Sequence, residues 1–132
     1  MNYRSSFFIR TFLLGSLLFI SSFASAQSAD ELVEMKAKIK GVEIFFRFYN
    51  DLPKAYVNTM TRGMESLDTE IVKKIHDTRS VILFALNEQD FKTMYYDDET
   101  PRNVRVIKVN LKNSPRWDAI KVAITASVNQ MN

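Results

Sequence analysis

Cysteine is absent from the 132-residue chain, and histidine and tryptophan occur once each. Without cysteine there is no disulfide framework, no thiol nucleophile and no thiolate metal ligand. A small exported domain would then have to be held by packing alone. With one histidine, His76, the chain also lacks the parts for most zinc sites and nucleophile–base dyads. No G-x-S-x-G elbow, P-loop or calcium loop of the D-x-D-x-D-G type occurs. Glycine and proline number only three each, so neither linkers nor low-complexity tracts divide the chain. No apolar run reaches the roughly 20 residues of a membrane-spanning helix.

What is present begins with a leader. Arg4 and Arg10 give a positive start, residues 11–20 (TFLLGSLLFI) form a short apolar run, and Ala24-Ser25-Ala26 supplies small residues for cleavage. This is the three-part layout of a secretory signal, with cleavage expected after Ala26. Residues 1–26 contain two arginines and no acid, so removal lowers the formal net charge from +3 to +1. The expected product is one soluble domain, residues 27–132, periplasmic or secreted. Its nearly balanced charge gives no electrostatic case for nucleic acid or anionic lipid.

The expected element order is α-β-α-β-β-β-α. Ser28-Ala29-Asp30-Glu31 reads as a capping box. Leu32, Met35 and Ile39 follow at helical spacing, and Gly41 stands where a helix C-terminus wants a left-handed residue. These signals predict a helix over 29–40. Residues 41–51, GVEIFFRFYND, allow two readings. A heptad through Phe46 and Tyr49 would continue that helix. The β-branched and aromatic content after Gly41 favours a strand, with Val42, Ile44, Phe46 and Phe48 on one face.

Asp51 and Pro53 open a helix carrying Val57, Met60 and Met64, with a break and restart at Ser66-Leu67-Asp68 and an end near Asp77. Gly63 in its middle either weakens it or admits a close neighbour. Residues 81–86 (VILFAL) read as a strand covered on both faces. Asn87 to Asp90 read as a hairpin connection, 91–96 as a short strand, 97–103 as a loop and 104–112 as a strand. A last helix starts at Ser114-Pro115 and carries Trp117, Ile120 and Ile124. The fold class is therefore α+β, with a small antiparallel sheet of about four strands packed by helices on one face.

Two residue groups are candidate sites. Phe45, Tyr49, Tyr56, Phe84 and Tyr95 could wall a pocket for a small apolar ligand such as a lipid or aromatic compound. Asp97, Asp98, Glu99, Arg102 and Arg105 form a charge-polarised end suited to an envelope protein as partner. The acids at 97–99, with Asp90, lack the spacing of a calcium loop and read as solvated. His76, in a last helical turn, reads as structural. No catalytic residue, metal ligand or cofactor is expected.

Residues 53–131 follow the α-β-β-β-α order of double-stranded RNA-binding domains, but Pro115-Arg116-Trp117 opens the last helix without their phosphate-binding lysines. Residues 42–67 resemble the strand-turn-helix of bacterial chalcone-isomerase-like proteins. The β-rich half that precedes it in that family has no counterpart between Ala26 and Val42, so no function is carried over. The functional expectation is a non-catalytic exported binding module of the bacterial envelope. The alternatives are a carrier of an apolar ligand and a carboxylate-dependent envelope hydrolase.

Overall fold

The computed structural model describes residues 10–14, 31–95 and 105–131. In chain order the elements are β1 (Arg10–Leu14), β2 (Leu32–Ile39), β3 (Val42–Tyr49), α1 (Lys54–Glu65), α2 (Thr69–Asp77), β4 (Ser80–Ala85), α3 (Glu88–Tyr95), β5 (Arg105–Asn110) and α4 (Trp117–Asn129). The class is α+β. The strands form one sheet in the order β1-β2-β3-β4-β5, of which β1 lies in the expected leader.

The phenylalanine-rich segment is strand, and the residues before it are strand as well. Residues 32–39 form β2, not the expected helix. Val33, Met35, Ala37 and Ile39 alternate with Glu34, Lys36 and Lys38, a period of two that packs on a core better than the weaker helical spacing. Lys40 (φ 51°) and Gly41 (φ 83°) are both left-handed. They form the two-residue turn that joins antiparallel neighbours, with Ile39 opposite Val42 and Leu32 opposite Tyr49. Gly41 thus closes a hairpin and does not end a helix. The Ser28 cap falls outside the described residues.

The expected helix over 53–77 is two helices, parted at Ser66–Asp68. Pro53 is itself the N-cap of α1, so Asp51 does not cap it; Arg116, not Ser114, is the N-cap of α4. Residues 88–95 form α3 where a turn and strand were expected. The Asp90 N–H donates to Asn87 Oδ1 (2.8 Å), and Glu88 and Asp90 sit in the first turn, where acids suit the helix dipole. Asn-Glu-Gln-Asp is therefore a helix start.

That change alters the sheet. Only the β2–β3 pair inside it is antiparallel; β3–β4 and β4–β5 are parallel, as β1–β2 is. Each parallel step in the second half is made through helices, α1–α2 between β3 and β4 and α3 between β4 and β5.

The helices lie on both faces. Ile44, Phe46 and Phe48 of β3, Ile82 and Phe84 of β4, and Ile107 and Val109 of β5 pack against α1, α2 and α4 through Met60, Met64, Val72, Ile75, Ile120 and Ile124. The opposite face buries a smaller cluster of Leu32, Tyr49, Leu83 and Ala85 under Phe91 and Met94 of α3. The two parallel connections step the same way across the sheet yet use opposite faces. They are therefore of opposite hand, and one departs from the usual right-handed rule.

Gly63 is where α1 meets α4. A Cβ there would stand 2.7 Å from Ile120 Cγ2 and 3.1 Å from the Trp117 carbonyl oxygen. The glycine allows close approach, one of the two roles its position suggests.

Candidate functional site

Beyond Tyr49, residues 50–53 turn the chain toward α1 on one face of the sheet. The Leu52 N–H donates to the Tyr49 carbonyl (3.0 Å), the Asn50 N–H donates to the Glu31 carbonyl (2.9 Å), and Asn50 Oδ1 accepts from the Glu31 N–H (3.2 Å). Beyond Ala85, Leu86 and Asn87 lead the chain to α3 on the other face. Adjacent parallel strands whose connections leave toward opposite faces part at their carboxyl ends. Such switch points are where open α/β sheets bind ligands.

A cleft of about 160 Å³ lies at this point, lined by Tyr49, Asp51 and Leu52 from the end of β3, Phe84 to Asn87 from the end of β4, and Asp90 and Met94 from α3. Phe84 and Met94, both fully buried, and Tyr49, nearly so, lie behind it. Its polar lining groups are two carboxylates and an amide, from Asp51, Asp90 and Asn87. Tyr49 is held by a bond of 2.7 Å between its hydroxyl and Thr93 Oγ1. Thr93 in turn donates to the Asp90 carbonyl (3.0 Å). Either hydroxyl can donate in the first bond, and the pair ties α3 to the end of β3.

Among the described residues no lysine, arginine or histidine lines this cleft, and its ionisable lining residues are Asp51 and Asp90. Its chemistry suits a small group with N–H donors and an apolar stem. A lysine or arginine side chain has both, and charge-assisted bonds to carboxylate are the strong kind.

The structure brings together two of the five aromatic candidates, Tyr49 and Phe84. Phe45 stands farther back along β3 on the α3 side of the sheet, 38% exposed, with Lys36 Nζ 6.0 Å from its ring centroid. Tyr56, half-buried, packs on the helical core of the other face. Tyr95 is the last residue of α3. Of the charged candidates, Asp97, Asp98, Glu99 and Arg102 lie outside the described residues. Arg105 is exposed at the start of β5 opposite Ser80, at the far end of the sheet from the cleft.

His76 is exposed on α2, with Nδ1 3.1 Å from the Glu43 carbonyl oxygen. Among the described residues, no three histidine or carboxylate groups are placed to hold a metal ion, and no helix is long and apolar enough to cross a membrane.

Sequence reasoning did not single out Asp51 and Asn87 as site residues, and it weighed Asp90 only as a calcium ligand and read it as solvated. Their signal was positional. Asn-Asp-Leu-Pro follows β3 directly and Asn-Glu-Gln-Asp follows β4 after Leu86, and each lies at a carboxyl end once those strands are parallel.

No family model, curated protein or solved structure matches this chain.

Proposed function

We propose that the chain is a small exported binding module of the bacterial envelope, non-catalytic, which receives a basic side chain of a protein partner in the cleft between the ends of β3 and β4. The leader layout of residues 1–26 supports export. The observation that carries the binding reading is the acid-lined cleft at a switch point of the sheet. Its size suits one side chain; pockets for drug-sized ligands span about 300–1,000 Å³.

Calorimetric titration with short lysine- or arginine-containing peptides, against glutamate-containing peptides of equal length, tests it. Basic peptides should bind, and Asp51→Asn with Asp90→Asn should weaken them by about tenfold or more, as loss of a charged hydrogen bond implies. Peptides of both signs binding alike, or neither binding, would remove this reading.

A second reading draws on the same two carboxylates, which are the minimum equipment of a carboxylate-dependent hydrolase. It requires turnover of envelope glycans or peptides that vanishes with Asp51→Asn or Asp90→Asn alone. The carrier reading requires a co-purified apolar compound. The small cleft leads us to expect native mass spectra showing the chain alone.

A further inference from the structure

The outer edge of β2 is covered by residues that the export reading removes. β1 pairs with it in parallel, from Arg10 opposite Val33 to Leu14 opposite Ala37. All five residues of β1 precede the expected cleavage after Ala26. In the mature chain β2 would be the edge of the sheet, eight residues long, with neither proline nor glycine to spoil pairing. Natural sheets pair, cover or charge such an edge. This edge accepts a strand here, so its backbone is shaped for one.

The order of side chains on β2 says which strand fits. On the α3 side of the sheet Glu34 and Lys36 are successive, and on the other side Val33, Met35 and Ala37 are apolar. Two copies of β2 can run antiparallel about a two-fold axis beside Met35. Glu34 then faces Lys36 of the second copy, twice over, while Met35 faces Met35 and Val33 faces Ala37. Moving the axis to Lys36 or Glu34 sets like charges against each other, which is unfavourable. The Met35-centred register is the one of these three that opposes no like charges.

The existing ion pairs extend this match. Within one copy Arg47 Nε donates to Glu34 Oε2 at 2.8 Å, with the Arg47 side chain 5% exposed, and Lys36 Nζ lies 3.5 Å from Glu43 Oε2. Across the axis these pairs join into a ladder of alternating sign: Arg47, Glu34, then Lys36 and Glu43 of the second copy. The same surface serves both copies, as a two-fold interface requires.

We infer that the mature chain is a symmetric dimer formed by antiparallel pairing of β2 with β2, Met35 on the axis, along the edge that β1 covers in the full-length chain. This rests on the export reading of residues 1–26.

The test starts from the full chain expressed with its own leader in a bacterial host, recovered from the periplasm or medium. Intact mass establishes whether residues 1–26 are gone, and light scattering with sedimentation gives the assembly mass. The expected result is a processed chain at twice its own mass. Lys36→Glu should raise the dimer dissociation constant about tenfold or more. A spin label on Lys38→Cys, the sole cysteine in such a variant, reads the register, because the two Cα atoms are expected about 20 Å apart at a strand rise of roughly 3.4 Å per residue.

A processed chain that stays monomeric at about 100 µM, a concentration far above a dissociation constant of about 1 µM, overturns the dimer and leaves export standing. A dimer indifferent to Lys36→Glu, or with labels far from that spacing, overturns the β2 pairing. Recovery with residues 1–26 retained overturns export, and the open edge with it.

Discussion

Gly63→Ala sets a favourable local term against an unfavourable packing term, and the geometry decides the sign. In an exposed helix interior the change would stabilise by about 1 kcal/mol, because alanine loses less backbone freedom on folding. Gly63 is instead buried where α1 crosses α4. The new Cβ would lie 2.7 Å from Ile120 Cγ2, 2.9 Å from Ile120 Cβ and 3.1 Å from the Trp117 carbonyl oxygen. Carbon–carbon contacts are comfortable at about 3.5–4.0 Å.

None of the three neighbours can swing aside. Ile120 is fully buried and β-branched, and Trp117 contributes backbone. The helices must separate, although Arg62 packs on the Trp117 ring at 5.1 Å and Lys121 reaches Asp68 at 3.7 Å. Overpacking costs about 1–3 kcal/mol. With the helix gain subtracted from the upper part of that range, the variant should lose about 1–2 kcal/mol, or roughly 5–10 °C in Tm for a domain of this size.

Urea and thermal unfolding followed by circular dichroism measure this. The control is Ile120→Ala, which costs about 2–5 kcal/mol by itself and makes room. Gly63→Ala in that background should be nearly neutral, giving a coupling of about 1–2 kcal/mol. A rise in Tm for the single variant, or strict additivity in the cycle, would show that α1 and α4 do not meet at Gly63.

Phe46→Ala removes a ring that is fully buried, stacked on Phe48 at 6.1 Å and edge-on to Phe84 at 5.9 Å. Its expected cost of about 3–5 kcal/mol should bring the urea midpoint close to zero. Thr125→Val should stabilise by about 1 kcal/mol in the same assay, since the Thr125 hydroxyl is buried with no hydrogen-bond partner. Lys40→Asn puts the preferred residue ahead of Gly41 in the β2–β3 turn. A gain of up to about 0.5 kcal/mol is expected, less the exposed bond from Lys40 Nζ to the Glu65 carbonyl (3.3 Å), and a clear loss of stability would argue against the left-handed turn.

How much of this was legible in the sequence depended on whether one period ruled a segment. β4 could be read because its apolar run is unbroken, and β5 because apolar and polar residues alternate over most of it; β3 was read as strand on its β-branched and aromatic content, although a heptad fitted it too. α4 could be read because its apolar positions fit only a helix. Residues 32–39 satisfy two periods at once. Leu32, Met35 and Ile39 fit a turn of helix, while Val33, Met35, Ala37 and Ile39 alternate with charges. Tertiary context decides between them, because the strand places four apolar side chains beside β3. Lys40-Gly41 was ambiguous for a related reason, since a left-handed glycine serves a helix end and a hairpin equally well.

The candidate site was harder to see, and α3 is the reason. Read as a strand, residues 91–96 extend an antiparallel meander whose neighbouring ends are joined by short turns. Read as a helix, they carry the chain over the opposite face and make β4 and β5 parallel. Only then do Asp51, Asn87 and Asp90 converge at one end of the sheet, with Tyr49 and Phe84 behind them. The aromatic residues were noticed for their type, but their convergence follows from topology, which no single residue encodes.

The same topology relates the two proposals. The cleft sits at the carboxyl ends of β3 and β4, whereas the proposed dimer edge is the outer side of β2, with β3 between them. Pairing through β2 therefore leaves both clefts of a dimer open and places them on one continuous sheet, related by the two-fold axis. A partner that presents two basic side chains at the matching spacing would engage both, and the second contact would form at an effective concentration set by the rigid sheet. Binding of such a partner should then weaken by far more than tenfold with Lys36→Glu, a change remote from either cleft, while a single-site basic peptide should bind that variant as it binds the wild type. Equal losses for both ligands would mean that Lys36→Glu damages the cleft itself, and the separation of the two surfaces would fail.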